Sequence, residues 1–332
     1  MRIALDAMGG DFAPGPIVQG AVQAVQKDPD MHVVLVGDAA QIEPLLPSAS
    51  GVRNRLEILH ATQIIGMDDP ASAVRTKPDN SISRCWQLLQ QRKVEAIVGA
   101  GHTGAMVAGG FMMRLFLKGV KRPGIATLMP TMQGLTVLLD VGANVHPKPE
   151  HLYQYGVMGA IFAKHILQRD KPRIGLLNIG SEEDKGNELA KETQDLFKNS
   201  PLKDQFIGNI EGRDIHKGVC EVIVTEGFVG NVVLKVCEGV FEFVMKVVAK
   251  EILGTLKAEV PLGQLALQNI VNRYDYQEAG GAPLLGVDGI CIICHGSSKE
   301  RAIESALHVA AKYARSKLNE LIVKELGGGP AA

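Results

Sequence analysis

Five times along this chain a short apolar run breaks at a glycine beside Asp, Asn, Thr or Lys, and a helical pattern follows. Strand, glycine turn and helix repeated in this way is the mark of βα units, so the chain is constrained to an α/β fold built on a largely parallel sheet. The fullest copy is Leu138–Leu152, LLDVGANVHPKPEHL. Leu138 and Leu139 end an apolar strand, Asp140 follows where it stops, and Gly142 with Asn144 supplies the freedom of a tight turn. Pro147 and Pro149 then fix φ, and a helix starts near Pro149 with Glu150 in its first turn. In open α/β sheets, ligands bind at strand carboxyl ends, where the unpaired N–H groups of helix N-termini point.

The other copies are variations on this unit. Residues 2–6 lead into DAMGGDFAPGP, with Gly9 and Gly10 between Asp6 and Asp11 and a helix through Ile17, Val18, Ala21, Val22 and Val25. VEAIV leads into Gly99-Ala100-Gly101-His102-Thr103-Gly104, a literal G-x-G-x-x-G opening a helix. A dinucleotide site also needs an acidic residue at the end of the next strand, and GIATLMP has none; the loop therefore suits a smaller anion such as one phosphate. RIGLLN ends at Asn178, and a polar loop carries Lys185 to the helix start at Asn187 and Glu188, where lysine and backbone N–H groups would together hold an oxyanion. EVIVTEGFVGN repeats the device with Thr225, Glu226, Gly227, Gly230 and Asn231.

Charge and cysteine usage exclude several classes. With 35 Lys and Arg against 36 Asp and Glu the formal net charge is -1, which gives no general nucleic-acid surface. The opening MRIALDAMGG has no signal-peptide core and no apolar run reaches the roughly 18 residues of a spanning helix, so a soluble cytoplasmic protein is expected. Cys291, Cys294 and His295 spell the C-x-x-C-H of a haem attachment site. The segment reads as a strand, however, and strand positions three apart face opposite sides, so the thiols are expected as small buried hydrophobes.

Taken together these segments resemble the bacterial phosphate acyltransferases that make acyl phosphate from acyl-[acyl carrier protein] and inorganic phosphate at the start of phospholipid synthesis. DAMGGD with Ala13-Pro14, GAGHTGA, LLDVGANVHPKPEHL, GLLNIGSEEDKGNEL, FIGNIEGRDI, EGFVGNVVLK with Glu238-Gly239, and GGAPLLG followed by HGSS match in order over almost the whole chain. His102 stands where the family pattern has Asn, Glu226 where it commonly has Asp, and Val229 where it often has Thr. The resemblance implies a Rossmann-like αβα sandwich of the phosphotransacetylase and isocitrate-dehydrogenase-like type, with two lobes around a cleft. It also implies a single catalytic domain over residues 1–326, a mobile tail at 327–332, a homodimer, and no metal or organic cofactor. An NAD-dependent oxidoreductase and a non-catalytic membrane-associated scaffold are the alternatives.

Carried onto these segments, the expected catalytic set is Lys185, His102, Asn187 and Asn231. Phosphate and substrate would be held by Asp6, Gly9, Gly10, Asp11, Gly101, Thr103, Gly104, Asp140, Asn144, Lys148, Asn178, Glu226, Gly227, His295 and Ser297. The phosphate is already an anionic nucleophile, so the protein has mainly to align it with the thioester and stabilise the developing oxyanion. The carrier protein is acidic, and Arg114, Lys118, Lys121 and Arg122 form the densest basic patch for its docking. Val233, Val236, Val240, Phe243, Val244 and Val247 lie at helical spacing, a pattern of core or subunit interface. On a second helix, Pro261–Arg273, Leu262, Leu265 and Ile270 belong to a broad apolar stripe that would face a dimer partner or make peripheral contact with the inner face of the membrane.

Overall fold

The computed structural model describes residues 1–46, 51–256, 259–274 and 280–327. The first half runs β1 (Arg2–Asp6), α1 (Gly15–Lys27), β2 (His32–Gly37), α2 (Ala39–Ile42), β3 (Leu56–His60), α3 (Ala73–Thr76), α4 (Ser81–Gln90), β4 (Ala96–Gly99) and α5 (Thr103–Met113). Then come β5 (Gly124–Thr131), β6 (Gly134–Leu139), α6 (Pro149–His165), β7 (Ile174–Asn178), α7 (Glu188–Lys198), β8 (Phe206–Glu211) and β9 (Val222–Val224). The chain closes with α8 (Gly227–Thr255), α9 (Val260–Tyr274), β10 (Ala282–Leu285), β11 (Ile290–Ile293), α10 (Glu300–Arg315) and α11 (Leu318–Glu325). Several helices that follow strands start at side-chain caps, among them Asn80 for α4, His102 for α5, Asn187 for α7 and Glu226 for α8. Each cap accepts from an otherwise orphaned first-turn N–H.

Among the described residues the strands join in one 11-stranded sheet, ordered β3-β2-β1-β4-β11-β10-β5-β6-β9-β7-β8. β1, β2, β3, β4 and β11 are mutually parallel, and so are β6, β7, β8 and β9. Between these blocks β10 is antiparallel to both β11 and β5, and β5 is antiparallel to β6. The two blocks therefore run in opposite directions. The short β10 spans the reversal: Ala282 pairs with Ile293 at the carboxyl end of β11, and Leu285 pairs with Gly124, next to the carboxyl end of β6. That stagger brings carboxyl ends from both blocks to one place, the switch-point position for a ligand.

Apolar side chains fill both faces of the sheet. One layer centres on Tyr155, Phe162 and Phe197 under α1, α6, α7 and α10, the other on Trp86 under α4 and α5. Trp86 donates its Nε1–H to the Met106 carbonyl at 3.0 Å, and its ring lies against Gly109 and Gly110, where a Cβ would come within 2.5 Å and 2.9 Å. The glycine pair in α5 thus lets two helices share one large ring.

The last helical stretch is two helices, α10 and α11, broken where Lys317 takes φ 54°. The polar stretch 66–80 contains α3, and Lys77 pairs with Asp69 at 2.6 Å. Arg114–Arg122 do not continue α5, which ends at Met113; Arg114 turns the chain with φ 50°, Lys121 pairs with Glu150 at 3.0 Å, and Arg122 lies over the Phe111 ring at 5.3 Å. The tail beyond Gly327 lies outside the described residues. Finally, α8 is not buried in its own core. Only Gly227 and Gly230 are fully covered, whereas Val236, Val240, Phe243, Val244 and Val247 are exposed.

Candidate active site

At the sheet reversal, loops from four strand ends meet. Asp6 at the end of β1 is buried, and its carboxylate accepts from the Met8 N–H at 3.1 Å. Gly9 and Gly101 pass so closely that a Cβ on Gly9 would sit 2.5 Å from Asp6 Oδ2 and 2.9 Å from the Gly101 nitrogen. The loop after β1 also joins the one after β11, because the Asp11 N–H donates to the Gly296 carbonyl at 2.8 Å. Three loops of one block are thereby fastened into a common floor. Burial pushes the Asp6 carboxyl above the ordinary range, against hydrogen bonds from Ser81, Met8 and Gly9.

The opposite wall is organised by Asp140. Its Oδ1 accepts from the N–H groups of Ile125, Gly142 and Ala143 at 3.0, 3.0 and 2.9 Å, and Oδ2 accepts from the Asn144 N–H at 2.7 Å. Burial raises this carboxyl too, although the same four N–H groups pull it down. Asn144 is committed to the scaffold as well, donating Nδ2–H to the Pro123 carbonyl and contacting the Tyr155 hydroxyl, both at 2.7 Å. The α8 N-terminus rests on this loop through two glycines: the Gly227 N–H donates to the Asn144 carbonyl at 2.8 Å, and a Cβ on Gly230 would lie 1.9 Å from the Asp140 carbonyl oxygen.

Between floor and wall lies a cavity of about 380 Å³, lined by Thr103, Gly104, Gly142, Asn231, Lys235, Glu238, His295 and Ser298 among others. Its polar groups point to an anion. The first-turn N–H groups of Thr103 and Gly104 have no acceptor among the described residues, and the Asn231 amide and Thr103 hydroxyl are likewise uncommitted. Lys235 adds a cation, held to the wall by Glu238 at 2.8 Å. His295 is exposed, and its Nδ1 accepts from the Ser297 N–H at 3.2 Å and faces the Ser297 hydroxyl at 2.7 Å. That bonding leaves its proton on Nε2, a donor at the rim of the cavity. Helix N–H groups, an amide, a hydroxyl and an ammonium together make an oxyanion cradle.

The structure therefore divides the residues expected from sequence. Gly101, Thr103, Gly104, Asn231, His295 and Ser297 are at or beside the cavity, with Asp6, Gly9, Gly10, Asp11, Asp140, Asn144 and Gly227 building its frame. His102, expected in the catalytic set, caps α5: Nδ1 accepts from the Ala105 N–H at 3.1 Å and Nε2–H donates to the Asp69 carbonyl at 2.7 Å. Glu226 caps α8, accepting from the Phe228 and Val229 N–H groups at 2.7 and 2.8 Å. Asn187 caps α7 by accepting from Ala190 at 3.0 Å, and Asn178 clips the Lys185 carbonyl at 3.1 Å. These three line a separate hollow of about 350 Å³. Lys185, expected at the centre, is exposed and lines neither space; Lys148 is exposed at the start of α6, its N–H given to His151 Nδ1 at 3.0 Å. Cys291 and Cys294 are buried, and burial lifts both thiols well up, that of Cys294 to about 12.

Lys235 and Glu238 are the residues that sequence reasoning passed over. The signal was present: positions 231, 235 and 238 follow i, i+4, i+7 and so share one face of α8 with Asn231.

Comparisons with known proteins agree with this geometry. A family model described as "Fatty acid synthesis protein" matches residues 1–321. Proteins named phosphate acyltransferase from Desulfitobacterium hafniense (strain DSM 10664 / DCB-2) and Heliobacterium modesticaldum are 48% and 46% identical, covering 98% and 99% of this chain and 98% of each relative. Among solved structures, a phosphotransacetylase from Streptococcus pyogenes aligns with TM-score 0.63 at 16% identity over 94% of this chain and 93% of that one. A branched-chain phosphotransacylase from Enterococcus faecalis V583 aligns with TM-score 0.55 at 12% identity over 95% and 99%. The structural likenesses establish the fold, a phosphotransacetylase-type α/β sandwich. The family model and the whole-length relatives establish the lineage: the chain belongs to the fatty acid synthesis protein family of phosphate acyltransferases.

Proposed function

We propose that this protein transfers a fatty acyl group from acyl-[acyl carrier protein] to inorganic phosphate, giving an acyl phosphate for glycerol-3-phosphate acylation in phospholipid synthesis. The observation that carries this reading is the set of uncommitted donors around the 380 Å³ cavity. Phosphate sits on the Thr103 and Gly104 N–H groups, with the Thr103 hydroxyl, Asn231 and Lys235 on its other oxygens. One phosphate oxygen attacks the thioester carbonyl carbon, the C–O bond forms as the C–S bond breaks, and the proton of the hydrogen phosphate passes to the departing sulfur, which leaves as the thiol. His295 Nε2–H is the donor for the oxyanion or the departing sulfur, a modest aid because a thiolate leaves readily. Binding in line supplies most of the acceleration.

The basic loop Arg114, Lys118, Lys121 and Arg122 is the docking patch for the acidic carrier, and it runs directly into Pro123, whose carbonyl Asn144 holds at the site wall. The apolar face of α8 carrying Val232, Phe243 and Val247 is the homodimer surface, since a monomer rarely leaves such a row open. Leu262, Leu265 and Ile270 on α9, at 67%, 58% and 38% exposure, make peripheral contact with the membrane that receives the product. Among the described residues no helix is long and apolar enough to cross one.

Incubating the purified protein with acyl-carrier substrate tests the reaction. Thiol release that requires phosphate and yields hydroxylamine-sensitive acyl phosphate is expected; release that is indifferent to phosphate, or none, overturns the reading. Charge reversal at Lys118 and Arg122 should raise KM for the carrier substrate and leave KM for phosphate unchanged, and equal changes in both would remove the patch.

A further inference from the structure

The polar cavity does not end at Leu128. Along the groove between β5 and α8 the lining changes character in step on both elements. Ile125, Thr127 and Leu128 face Asn231, Leu234 and Lys235 at the polar end, and Met129, Pro130 and Met132 face Cys237, Val240, Phe241 and Val244 further along. Leu234 and Glu238 line both parts, so the spaces adjoin, and the second holds about 450 Å³ with mostly apolar walls, Thr131, His216 and Glu238 being its polar members. From Asn231 to Val244 the helix rises about 20 Å, the reach of a long extended hydrocarbon chain. His216 closes one side, its Nδ1–H donating to the Pro130 carbonyl at 2.8 Å while Nε2 faces Cys237 Sγ at 3.4 Å.

The geometry points to this apolar groove as the seat of the substrate's acyl chain, with Val240 and Val244 as the residues that measure its length. This rests on the acyl-transfer reading above. A molecule with a reacting polar head and a saturated tail matches a channel that is donor-lined at one end and apolar along the rest. The occupant is distinguished from a second protein copy by position. Leu234, Cys237 and Phe241 recur at i, i+3, i+7 on one side of α8, whereas Val232, Phe243 and Val247 fall on the opposite side.

Two readouts test it. Cys237 is half-buried in the groove while Cys85, Cys220, Cys291 and Cys294 are buried, so N-ethylmaleimide adds to it first. Hexadecanoyl phosphate should protect Cys237 and acetyl phosphate should not. No protection from a long chain that the enzyme nonetheless turns over would overturn the groove and leave the reaction standing; no turnover of any chain would remove the reaction. Protection that rises with protein concentration alone would give the groove to a second copy and overturn the proposal. Val240→Trp and Val244→Trp then act as two stops on one ruler, about 6 Å apart along the helix. Each should cut kcat/KM for chains reaching past it by roughly tenfold or more while sparing shorter ones, with the cut-off at a longer chain for Val244→Trp. Equal loss at every chain length in both variants would mean disturbed folding or assembly and would sink the length-measuring role.

Discussion

Gly230 is the residue on which two parts of the site lean, because α8 approaches the Asp140 carbonyl more closely than any side chain allows. Gly230→Ala should cost about 3 kcal/mol through overpacking against backbone that cannot retreat. Gly239, in the same helix, has nothing within 4 Å of a built Cβ, and Gly239→Ala should stabilise by roughly 0.5–1 kcal/mol through helix propensity. Urea midpoints that fall for both would deny the contact its role. A second residue-scale effect concerns acid. Hydrogen bonds from the Thr62 hydroxyl at 2.6 Å and Arg84 at 2.7 Å hold Asp79 down to about 2 from 3.8, clipping the loop after β3 to α4. Since the folded value is the lower one, the stabilisation is present above pH 3.8 and is lost as pH falls through about 2. Asp79→Asn should therefore lower Tm at pH 6 and converge on the parent near pH 2. A difference that persists unchanged at that acidity would point to shape instead of charge.

At the scale of elements, the βα units were legible because each announces itself locally: an apolar run, a glycine, a capping residue. Asn187 and Glu226 were visible in the same way, yet their caps were not, since the same residue types serve helix caps and substrate sites, and only coordinates show which N–H groups they accept from. The reversal of strand direction at β10 and β5 was hidden, because pairing partners lie far apart in sequence and parallel and antiparallel strands carry similar apolar runs. Helix α9 shows a different limit. Its apolar spacing is plain in the sequence, but periodicity does not say what covers it. Gly263 packs toward Leu253 of α8 and Leu256 just beyond its end, and Leu262 and Leu265 are exposed. Leu265→Glu with Ile270→Glu should leave Tm and dimer unchanged and abolish flotation with anionic liposomes; a fall in Tm would place the stripe in an interface.

For the whole molecule, one sheet with two opposed parallel blocks explains why a phosphate cradle and an apolar groove adjoin. The first forms where carboxyl-end loops of the two blocks meet, and the second runs on from it between β5 and α8. It also explains why Lys185, prominent in the sequence, stands apart: its loop is pinned by Asn178 and by Asn209, which donates to the Glu182 carbonyl at 2.7 Å, on the far side of the α8 N-terminus. The exposed face of α8 should hold two copies together, and Phe243→Asp with Val247→Asp should shift sedimentation from dimer to monomer; an unchanged profile would move the interface elsewhere. The central claim is that phosphate binds where α5, Asn231, Lys235 and His295 converge. Its most direct test is KM for phosphate in Asn231→Ala, Lys235→Ala and Lys185→Ala, measured with saturating acyl donor. The account predicts a rise of about tenfold in the first two, the loss of one charge-assisted or neutral hydrogen bond each, and a value near the parent in the third. A large rise in Lys185→Ala with none in the other two would contradict it.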